Sequence, residues 1–358
     1  MTVKPACTNL AVVGMSGGVD SSAAALLMKE QGFEVVGVTL HLWDHDEAAA
    51  RSCCAPEEAA DARRTCAALG CRHYTLNRKR LFREAVVCPF AATYEQGGTP
   101  NPCVDCNRSV KFPVLYHTMK ALGGTALATG HYAQVEHSGD RFLLKKGKDR
   151  AKDQSYMLYT LSQEQLAHTR LPLGAYTKAE IRALAAEHSL SSAHKPDSQD
   201  ICFVPDGDYL HFLEEFTGKK SEPGPFLDSR GKQIGTHRGY MGYTIGQRKG
   251  LGVPAATRLY VYEKDPETNV VRLGEEARIF SRTLEAHRIN LIALERIDTP
   301  LKMAARVRYH HAEAPCTVEQ TGPDTLRVVF DEPQRAVVPG QSLVLYDGDY
   351  VVGGGVIL

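Results

Sequence analysis

The sequence lacks the features of membrane-spanning, secreted and globally basic proteins. No apolar run approaches the length needed to cross a bilayer, and the first residues have none of the features of a signal peptide. The 42 basic and 42 acidic residues cancel, so any contact with nucleic acid must come from local patches. We therefore expect a cytoplasmic protein with no membrane partner. In that compartment its ten cysteines predict thiols, metal ligands or catalytic groups rather than a disulfide framework.

The chain is too long for one hydrophobic core, and its composition and predicted secondary structure change twice along the 358 residues. Residues 1–205 alternate strand-like and helix-like segments, which predicts a doubly wound parallel sheet of the α/β class. Glycine and proline become frequent in residues 206–280, which we interpret as a small central domain. Short β-like runs fill residues 281–358 and predict a small β-barrel, with a sandwich as the alternative.

Apolar periodicity and helix-boundary residues predict individual elements. Strands are predicted over residues 33–40, 71–76, 125–129, 301–310, 317–320, 326–330, 342–346 and 350–352. Helices are predicted over residues 23–31, 55–69, 80–95, 109–122 and 178–188. Because ligands bind beyond the carboxyl ends of parallel strands, Gly130 and His131 should lie near the turn that follows the first strand.

That turn is the most informative segment of the chain. An apolar run over residues 10–14 ends in Ser16-Gly17-Gly18 and opens at once into a serine-capped helix containing Asp20. Adjacent glycines permit a close backbone approach, and the N–H groups and dipole of the helix start favour phosphate. No lysine follows in the GxxxxGK[ST] spacing of the ordinary P-loop. This pattern suits ATP whose α-phosphate reacts, so it favours adenylation of a substrate oxygen over a merely structural turn.

Two cysteines stand in the segment after Thr99-Pro-Asn-Pro102, which we interpret as a loop before a helix. The Cys103/Cys106 spacing can bind zinc, but a structural zinc ribbon needs a second pair that the chain lacks, so no metal site is expected. A helix start near Ser109, with Arg108 and Lys111 beside it, would favour a thiolate. The position indicates a reactive thiol.

The other cysteines carry weaker signals. Cys202 follows the polar segment 197–200 and stands between Ile201 and Phe203, so a functional thiol and a small buried apolar residue are equally supported. Four more cysteines fall on or near one helical segment, where packing is the expected role: Cys53, Cys54, Cys66 and Cys71.

Two segments have the charge pattern of RNA-binding surfaces. Residues 145–154 are strongly basic, although such a run of charges is more often a solvated loop without a binding role. Arg306, Arg308 and His310 recur at every second residue, so a strand would place them on one face, either to contact a phosphate backbone or as an ordinary polar face.

Together these segments resemble the bacterial and mitochondrial tRNA-specific 2-thiouridylases, which are PP-loop ATPases. The matching segments run in order over nearly the whole chain: residues 14–21, 99–107, 128–132, 152–156, 198–203, 244–252, 307–309 and 339–341. The first is shared by many PP-loop enzymes, whereas the surroundings of Cys106 and Cys202 are highly specific. The resemblance implies a PP-loop domain of the HUP type and 2-thiolation of the wobble uridine of tRNA.

The resemblance also implies roles for individual residues. Cys106 corresponds to the nucleophile and Cys202 to the cysteine that carries the persulfide, with Asp20 as a third catalytic residue. ATP, accompanied by Mg²⁺, is expected to bind Gly14, Met15, Ser16, Gly17, Gly18, Val19, Asp20, Ser21, Leu40 and Gly130. Contacts with tRNA are expected from Asn101, Pro102, His131, Lys152, Asp153, Gln154, Arg308, Tyr309 and Gln341. A cysteine desulfurase or a sulfur-relay protein is the expected persulfide donor.

One position departs from the family pattern. Many relatives have an aspartate where this chain has Cys103, and the change creates a set of three thiols with Cys106 and Cys202. Three thiolates with an open position could hold an iron–sulfur cluster, so cluster-dependent thiolation is one alternative. A PP-loop ligase with another acceptor is a second, although the paired cysteines and the β-type C-terminal region argue against it. An RNA-binding or sulfur-carrier protein without turnover is a third, and the intact loop argues against it.

Overall fold

The structure is a computed structural model that describes residues 9–44, 56–193, 195, 201–204 and 206–358. Cys53, Cys54 and the polar segment 197–200 therefore lie outside the described residues. The chain divides into two compact units. Unit 1 comprises Met1–Val86, Cys103–Asp206 and Asp349–Val352, and unit 2 comprises Val87–Pro102, Gly207–Gly348 and Gly353–Leu358. Within the described ranges, no helix combines the length and apolar character that crossing a bilayer requires.

The α-helices are α1 Val19–Glu30, α2 Pro56–Ala68, α3 Lys79–Phe82, α4 Cys88–Glu95, α5 Pro102–Cys106, α6 Phe112–Ala121, α7 Gln163–His168, α8 Lys178–Glu187 and α9 Tyr209–Thr217. The strands are β1 Leu10–Gly14, β2 Glu34–His41, β3 Arg72–Asn77, β4 Ala126–Ala128, β5 Ala133–Ser138, β6 Arg141–Lys146, β7 Thr169–Arg170, β8 Gly224–Leu227, β9 Gln233–His237, β10 Tyr260–Asp265, β11 Val270–Gly274, β12 Phe280–Leu291, β13 Leu301–Arg306, β14 Ala314–Gly322, β15 Thr325–Arg335, β16 Ser342–Asp347 and β17 Tyr350–Ile357. Short 3₁₀ segments cover Ser155–Leu158, Pro172–Ala175, Tyr240–Gly242 and Glu276–Ile279.

Unit 1 is built on a five-stranded parallel sheet in the order β3-β2-β1-β4-β7. Its central strand β1 has apolar side chains on both faces, and Ala11, Val12 and Val13 are fully buried. That is the pattern expected of a parallel strand covered on both sides by helices. The α/β class predicted for the first region is confirmed.

Helix α1 packs an alanine-rich surface into the core of unit 1. Ala23, Ala24, Ala25 and Met28 are fully buried there. The helix begins at Val19, four residues before the predicted start. Cys66 of α2 lies in the same core, and burial, followed by the nearby Cys71, raises the pKa of its thiol to about 12. This burial agrees with the packing role predicted for Cys66.

The helix after residue 99 starts earlier than predicted, because Pro102 rather than Ser109 opens it. Helix α5, a π-helical turn over Asn107–Lys111 and α6 follow one another without a break. Proline is well suited to a helix start, since its fixed φ matches the helix and its missing N–H has no partner there. Cys103 and Cys106 consequently lie in the first turns of this helical run, and the predicted loop placement is wrong.

Unit 2 contains the two β-rich regions. One is a four-stranded sheet in the order β10-β11-β8-β9, with Phe226, Val261, Val271 and Leu273 in its core. The other is a six-stranded barrel in the order β12-β15-β14-β13-β16-β17, closed by pairing of β12 with β17. The predicted barrel is confirmed, and it provides pairing for the edges that an open sheet would expose.

One predicted strand ends early. Strand β13 stops at Arg306, and the chain then turns, with the His311 N–H donating to the Arg308 carbonyl over 3.2 Å. The expectation that Arg306, Arg308 and His310 line one face of a strand is therefore wrong. The turn, which alternation of charged residues does not signal, ends the strand after its first arginine.

A hairpin of unit 1 completes the elements used below. Strands β5 and β6 pair through six residues, and Tyr350 and Val351 at the start of β17 pair with Lys145 and Leu144 of β6. Asp349 accepts from Arg150 over 2.7 Å at the same edge.

Candidate active site

The turn between β1 and α1 is held together by its own serines. The Ser16 N–H donates to Ser21 Oγ over 3.1 Å, and the two hydroxyl oxygens lie 3.2 Å apart. Ser21 and Ser22 donate from their hydroxyls to the Gly18 carbonyl over 3.1 and 3.0 Å. These bonds fix the turn at the N-terminus of a helix, where backbone N–H groups and the helix dipole favour an anion.

Glycine is required at the centre of this turn. Gly17 has a φ of +77°, and a β-carbon there would lie 2.3 Å from the Glu58 carbonyl oxygen. The turn is also tied to β2, since the Met15 N–H donates to the Val38 carbonyl over 2.8 Å. The Thr39 hydroxyl donates to the Met15 carbonyl over 2.9 Å. The backbone that would face a phosphate is thus fixed from both sides.

The predicted nucleotide-binding residues gather at the carboxyl edge of the parallel sheet. A β-carbon on Gly130 would lie 2.7 Å from the Asp20 carbonyl carbon and 2.9 Å from the Ser21 nitrogen. Strand β4 pairs with β1, so its carboxyl end brings Gly130 to the turn as expected. Leu40 is half-buried near the end of β2, the other neighbour of β1. Their contacts with ATP stay predictions.

Asp20 is held by two side chains that are distant in sequence. Lys178 Nζ donates to both carboxylate oxygens of Asp20 over 2.7 and 2.8 Å, and the Tyr132 hydroxyl donates over 2.8 Å. The ammonium also lies 5.7 Å from the centre of the Tyr132 ring. We call these three residues the loop triad. The sequence analysis does not predict a role for Lys178. The one indication in the sequence is that the turn itself contains no lysine, so that a cation beside it must come from elsewhere in the chain.

Two residues predicted to contact tRNA support the backbone beside the loop triad. Gln154 accepts from the Tyr132 N–H over 3.0 Å, and its own N–H donates to the Tyr132 carbonyl over 2.8 Å. Asp153 is buried and accepts from the Gly147 N–H over 3.0 Å and from the Ser155 hydroxyl over 2.9 Å. Both side chains therefore order this segment, and their contacts with tRNA, like that of half-buried Lys152, stay predictions.

His131 is a neutral imidazole beside the same strand end. Its Nδ1 lies 2.7 Å from the Thr129 hydroxyl, and its ring lies 5.8 Å from that of Phe112. Desolvation, reinforced by the charge of Lys111, lowers the pKa of His131 well below its usual value. Any contact that His131 makes with tRNA would therefore be a neutral hydrogen bond or a stacking contact.

The two cysteines of α5 differ in exposure. Cys103 is exposed, whereas Cys106 is buried at the end of the helix. The residues that follow Cys106 anchor the helical run: Asn107 Nδ2 donates to the Met157 carbonyl over 3.0 Å. Arg108 donates to the Tyr159 hydroxyl over 3.2 Å. Cys106 thus lies on a firmly attached helix rather than on a loose loop.

Cys202 is half-buried next to an aromatic anchor. Phe203 is 2% exposed, and its ring lies 5.6 Å from that of Phe82 and 6.2 Å from that of Trp43, the only tryptophan of the chain. Cys202 and Cys106 both belong to unit 1. The packing of Phe203 fixes the position of the adjacent thiol-bearing residue.

The described part of the chain offers no ready-made metal site. Among those residues, no three His, Cys, Asp or Glu side chains are grouped so that they could hold a metal ion. Cys103, Cys106 and Cys202 are all described, and they do not form such a group. Binding of an iron–sulfur cluster by these three thiols stays a prediction.

The remaining predicted tRNA contacts lie in unit 2. Gln341 Nε2 donates to the carbonyls of Thr99 and Pro100 over 2.8 and 3.0 Å, directly before half-buried Asn101 and buried Pro102. Farther along, Arg308 donates to the Ile245 carbonyl over 2.9 Å, and half-buried Tyr309 follows it. The structure thus brings Gln341 to the segment before Cys103, and contacts of all five predicted residues with tRNA stay predictions.

Three family descriptions match the chain in sequence order. Residues 9–206 match "tRNA methyl transferase HUP domain", residues 210–275 match "tRNA methyl transferase PRC-barrel domain", and residues 281–357 match "Aminomethyltransferase beta-barrel domain". Among solved structures, a "4-thiouridine synthetase - RNA complex with bound ATP" is similar at 18% identity with a TM-score of 0.38. The match covers 58% of this chain and 50% of that one.

Curated relatives match over nearly their full lengths. The chain is 48% identical over 355 residues to "tRNA-specific 2-thiouridylase MnmA 1" of Caldanaerobacter subterraneus subsp. tengcongensis, covering 98% of each chain. It is 44% identical over 350 residues to "tRNA-specific 2-thiouridylase MnmA" of Clostridioides difficile, covering 97% of each. This identity over the whole length, together with the HUP-domain match, shows that the chain belongs to the family of tRNA-specific 2-thiouridylases.

Proposed function

We propose that the protein is an ATP-dependent tRNA sulfurtransferase that converts the wobble uridine, U34, to 2-thiouridine and releases AMP and pyrophosphate. The observation that carries this proposal is the closed, lysine-free turn over residues 14–21. Its hydrogen bonds and Gly17 backbone prepare a helix N-terminus for the phosphates of ATP. Family membership indicates that the activated group is a uridine of tRNA, and Cys106 and Cys202 of unit 1 could supply the sulfur that replaces its oxygen.

The first step would activate the oxygen that must leave. Uridine O2 attacks the α-phosphorus of ATP, the bond from that phosphorus to the bridging oxygen breaks, and pyrophosphate leaves with the electron pair. Mg²⁺ is held in proteins by one or two carboxylates together with substrate phosphates. Asp20, a carboxylate in the first turn of α1, fits that requirement, and the ion would supply charge neutralisation at the phosphates.

The second step would exchange oxygen for sulfur. The terminal sulfur of a persulfide on Cys202 attacks C2 of the activated base, and AMP departs with the former O2. The Cys106 thiolate then attacks the Cys202 sulfur, which releases the 2-thiouridine sulfur with the bonding pair and leaves a Cys106–Cys202 disulfide. An external thiol reduces that disulfide, and a cysteine desulfurase or sulfur-relay protein reloads Cys202. The target base must leave the anticodon stack to reach this site.

In this proposal the remaining predicted residues bind tRNA around the reacting base. Asn101 and Pro102 would lie close to U34, with His131, Lys152, Asp153 and Gln154 on unit 1 and Arg308, Tyr309 and Gln341 on unit 2. Phosphate contacts from Lys152 and Arg308 would orient the tRNA. The proposed substrates agree with the cytoplasmic setting expected from the sequence.

Nucleoside analysis tests the function directly. The purified protein is incubated with unmodified tRNA, ATP, Mg²⁺, a persulfide donor and a thiol reductant, and the tRNA nucleosides are then analysed by mass spectrometry. We expect 2-thiouridine together with tRNA-dependent release of AMP and pyrophosphate. AMP release that does not require tRNA would favour a ligase with another acceptor, and absence of 2-thiouridine would refute the proposal.

Cysteine variants separate the persulfide route from the cluster route. Cys106→Ser and Cys202→Ser should abolish thiolation, because each removes an atom that forms or breaks a bond. Cys103→Ser should retain part of the activity, since Cys103 is exposed and has no bond-making role in these steps. A Cys103→Ser protein as inactive as the other two, with iron and sulfide in the anaerobically purified native protein, would favour the cluster.

A further inference from the structure

Cys103 and Cys106 differ in their access to solvent although they lie on the same helix. Cys103 is exposed and Cys106 is buried, both on the continuous helical run that Pro102 opens. Among the cysteines that the structure describes, only Cys88 is exposed in the same way. We propose that Cys103 is the resolving thiol of the reaction: it attacks the Cys106–Cys202 disulfide that thiolation leaves and transfers that disulfide to the protein surface. This inference rests on the proposed function and extends it to regeneration of the enzyme.

The disulfide left by the proposed second step is poorly placed for direct reduction. Cys106 is buried, and Cys202 is half-buried beside Phe203, which is 2% exposed. The rate of thiol–disulfide exchange depends on the access of the attacking thiolate to a disulfide sulfur. A soluble thiol would have to enter these packed surroundings, whereas a thiol on the same helix need not. Until the disulfide is opened, Cys202 cannot accept sulfur for another turnover.

The helix keeps Cys103 close to Cys106. Residues three apart are neighbours on a helix surface, and helix geometry places their Cα atoms roughly 5 Å apart. Disulfides span Cα separations of about 4.4–6.8 Å, so a bond between these two cysteines requires little movement of the backbone. A 3₁₀ tightening of the first turn, which is common at helix starts, would bring the two side chains into line.

The start of the helical run suits a nucleophile on a fixed base. Cys103 is its second residue, and the N–H groups and dipole of a helix start favour a thiolate. Asn107, the residue after Cys106, donates from Nδ2 to the Met157 carbonyl over 3.0 Å. The buried end of the pair is therefore anchored, while the exposed end lies in the first turn, where adjustment is least restrained.

The exchange consists of three substitutions at sulfur. The Cys103 thiol loses its proton to solvent and attacks the Cys106 sulfur, so the Cys103–Cys106 bond forms and Cys202 leaves as a thiolate with the bonding pair. A soluble thiolate then attacks the exposed Cys103 sulfur, and Cys106 leaves as a thiolate. A second soluble thiolate attacks the sulfur of the first, so the two depart joined as a disulfide and Cys103 is restored. Cys202 is thus reduced before any soluble thiol reacts.

A comparison of single and repeated turnover tests the proposal. The full-length protein is loaded with persulfide, separated from the donor and incubated with unmodified tRNA, ATP and Mg²⁺ without reductant. Cys103→Ser should then form 2-thiouridine within about twofold of the unmodified yield, because Cys103 takes no part in thiolation itself. With donor and a low concentration of a soluble thiol, its steady-state rate should fall by about 10-fold or more, because the intramolecular attack is lost. The deficit should shrink as the thiol concentration rises.

Cys88 provides a matched control. It is the other exposed cysteine among the described residues, and it belongs to unit 2, outside the helical run that carries Cys106. Cys88→Ser should leave both the single-turnover yield and the steady-state rate within about twofold of the unmodified values, as expected for a surface substitution away from the reacting atoms.

Peptide mapping identifies the sulfurs that are joined. After one turnover without reductant, remaining thiols are alkylated at acidic pH and the digested protein is analysed by mass spectrometry. We expect a Cys103–Cys106 disulfide and an alkylated Cys202 in the unmodified protein. In Cys103→Ser we expect a Cys106–Cys202 disulfide instead.

Three results would overturn the proposal while the unmodified protein still forms 2-thiouridine. They are an unmodified protein without a Cys103–Cys106 disulfide, a Cys103→Ser steady-state rate that is unchanged at low thiol, and a Cys103→Ser single-turnover yield that falls together with the rate. The last result would place Cys103 in thiolation itself. Absence of 2-thiouridine from the unmodified protein would instead overturn the proposed function.

Discussion

The loop triad of Asp20, Tyr132 and Lys178 has a counterpart on the hairpin of unit 1, where Glu136, Lys145 and Tyr350 make the same contacts. We call these three residues the hairpin triad. In each, a lysine and a tyrosine donate to one carboxylate while the ammonium lies over the tyrosine ring. The hairpin triad is explained by strand pairing alone, since Tyr350 lies opposite Lys145 in the register. The loop triad joins residues 158 positions apart and has the more buried lysine, with 11% of the side chain exposed against 26%. The same three side-chain contacts therefore do not by themselves indicate a function. What distinguishes the loop triad is the turn beside it, whose backbone is suited to a phosphate.

The largest effect is expected from a substitution that distorts the turn beside the loop triad. Gly17→Ala places a β-carbon 2.3 Å from a carbonyl oxygen at a φ of +77°. We expect ATP-dependent thiolation to fall by about 100-fold or more, because the phosphate-facing backbone must move. Gly139→Ala, in the turn of the hairpin, has a φ of +61° with nothing within 4 Å. It should cost about 1 kcal/mol of stability and leave ATP affinity unchanged, as calorimetry and thermal unfolding can show.

The second-largest difference between the triads is expected when the carboxylate of each is exchanged for an amide. Asp20→Asn should lower the rate of tRNA-dependent AMP release by about 100-fold, since it removes a charge beside the reacting phosphates. Glu136→Gln should leave that rate within about threefold, because the hairpin pair is a partly exposed ion pair. Equal losses in the two variants, measured with saturating tRNA, would contradict the distinction between the triads.

A smaller effect is expected from the tyrosine hydroxyls. Tyr132→Phe removes the 2.8 Å bond to Asp20 and should raise the KM for ATP by about 3- to 10-fold through a less fixed carboxylate. Tyr350→Phe removes the equivalent 2.8 Å bond to Glu136 and should leave the KM for ATP unchanged. Steady-state kinetics on both variants checks this, and a change in Tyr350→Phe alone would reverse the assignment.

The smallest effect concerns pH and the hairpin triad. Hydrogen bonds from Lys145 and then Tyr350 lower the pKa of Glu136 below the usual value for a glutamate. Because the folded pKa is depressed, this carboxylate contributes stability above about pH 4.5. That contribution is lost as the pH falls through the folded pKa. The melting temperature of Glu136→Gln should trail that of the unmodified protein by at most about 3 °C at pH 6. The gap should close toward pH 3, and a constant gap would contradict the assignment.

The sequence predicts those parts of the site that depend on short-range pattern or on rules for parallel sheets. The turn over residues 14–21 is a continuous motif, and Gly130 follows a strand adjacent to β1, so their proximity could be expected. Lys178 could not, since its partner depends on how α8 packs against α1. The end of β13 at Arg306 was missed because a turn, rather than the alternation of charges, ends the strand. The early helix start at Pro102 differs from the prediction because a segment rich in proline is more typical of a loop.

The division of the chain has a consequence for the order in which it can fold during synthesis. Residues 87–102 are made early but belong to unit 2, and residues 349–352 are made almost last but belong to unit 1. About 240 more residues must therefore be synthesised after Thr99 and Pro100 before Gln341 can donate to their carbonyls. The edge of β6 likewise gains Tyr350 only when translation is nearly complete. A nascent chain that stalls before its final ten residues would lack part of each unit.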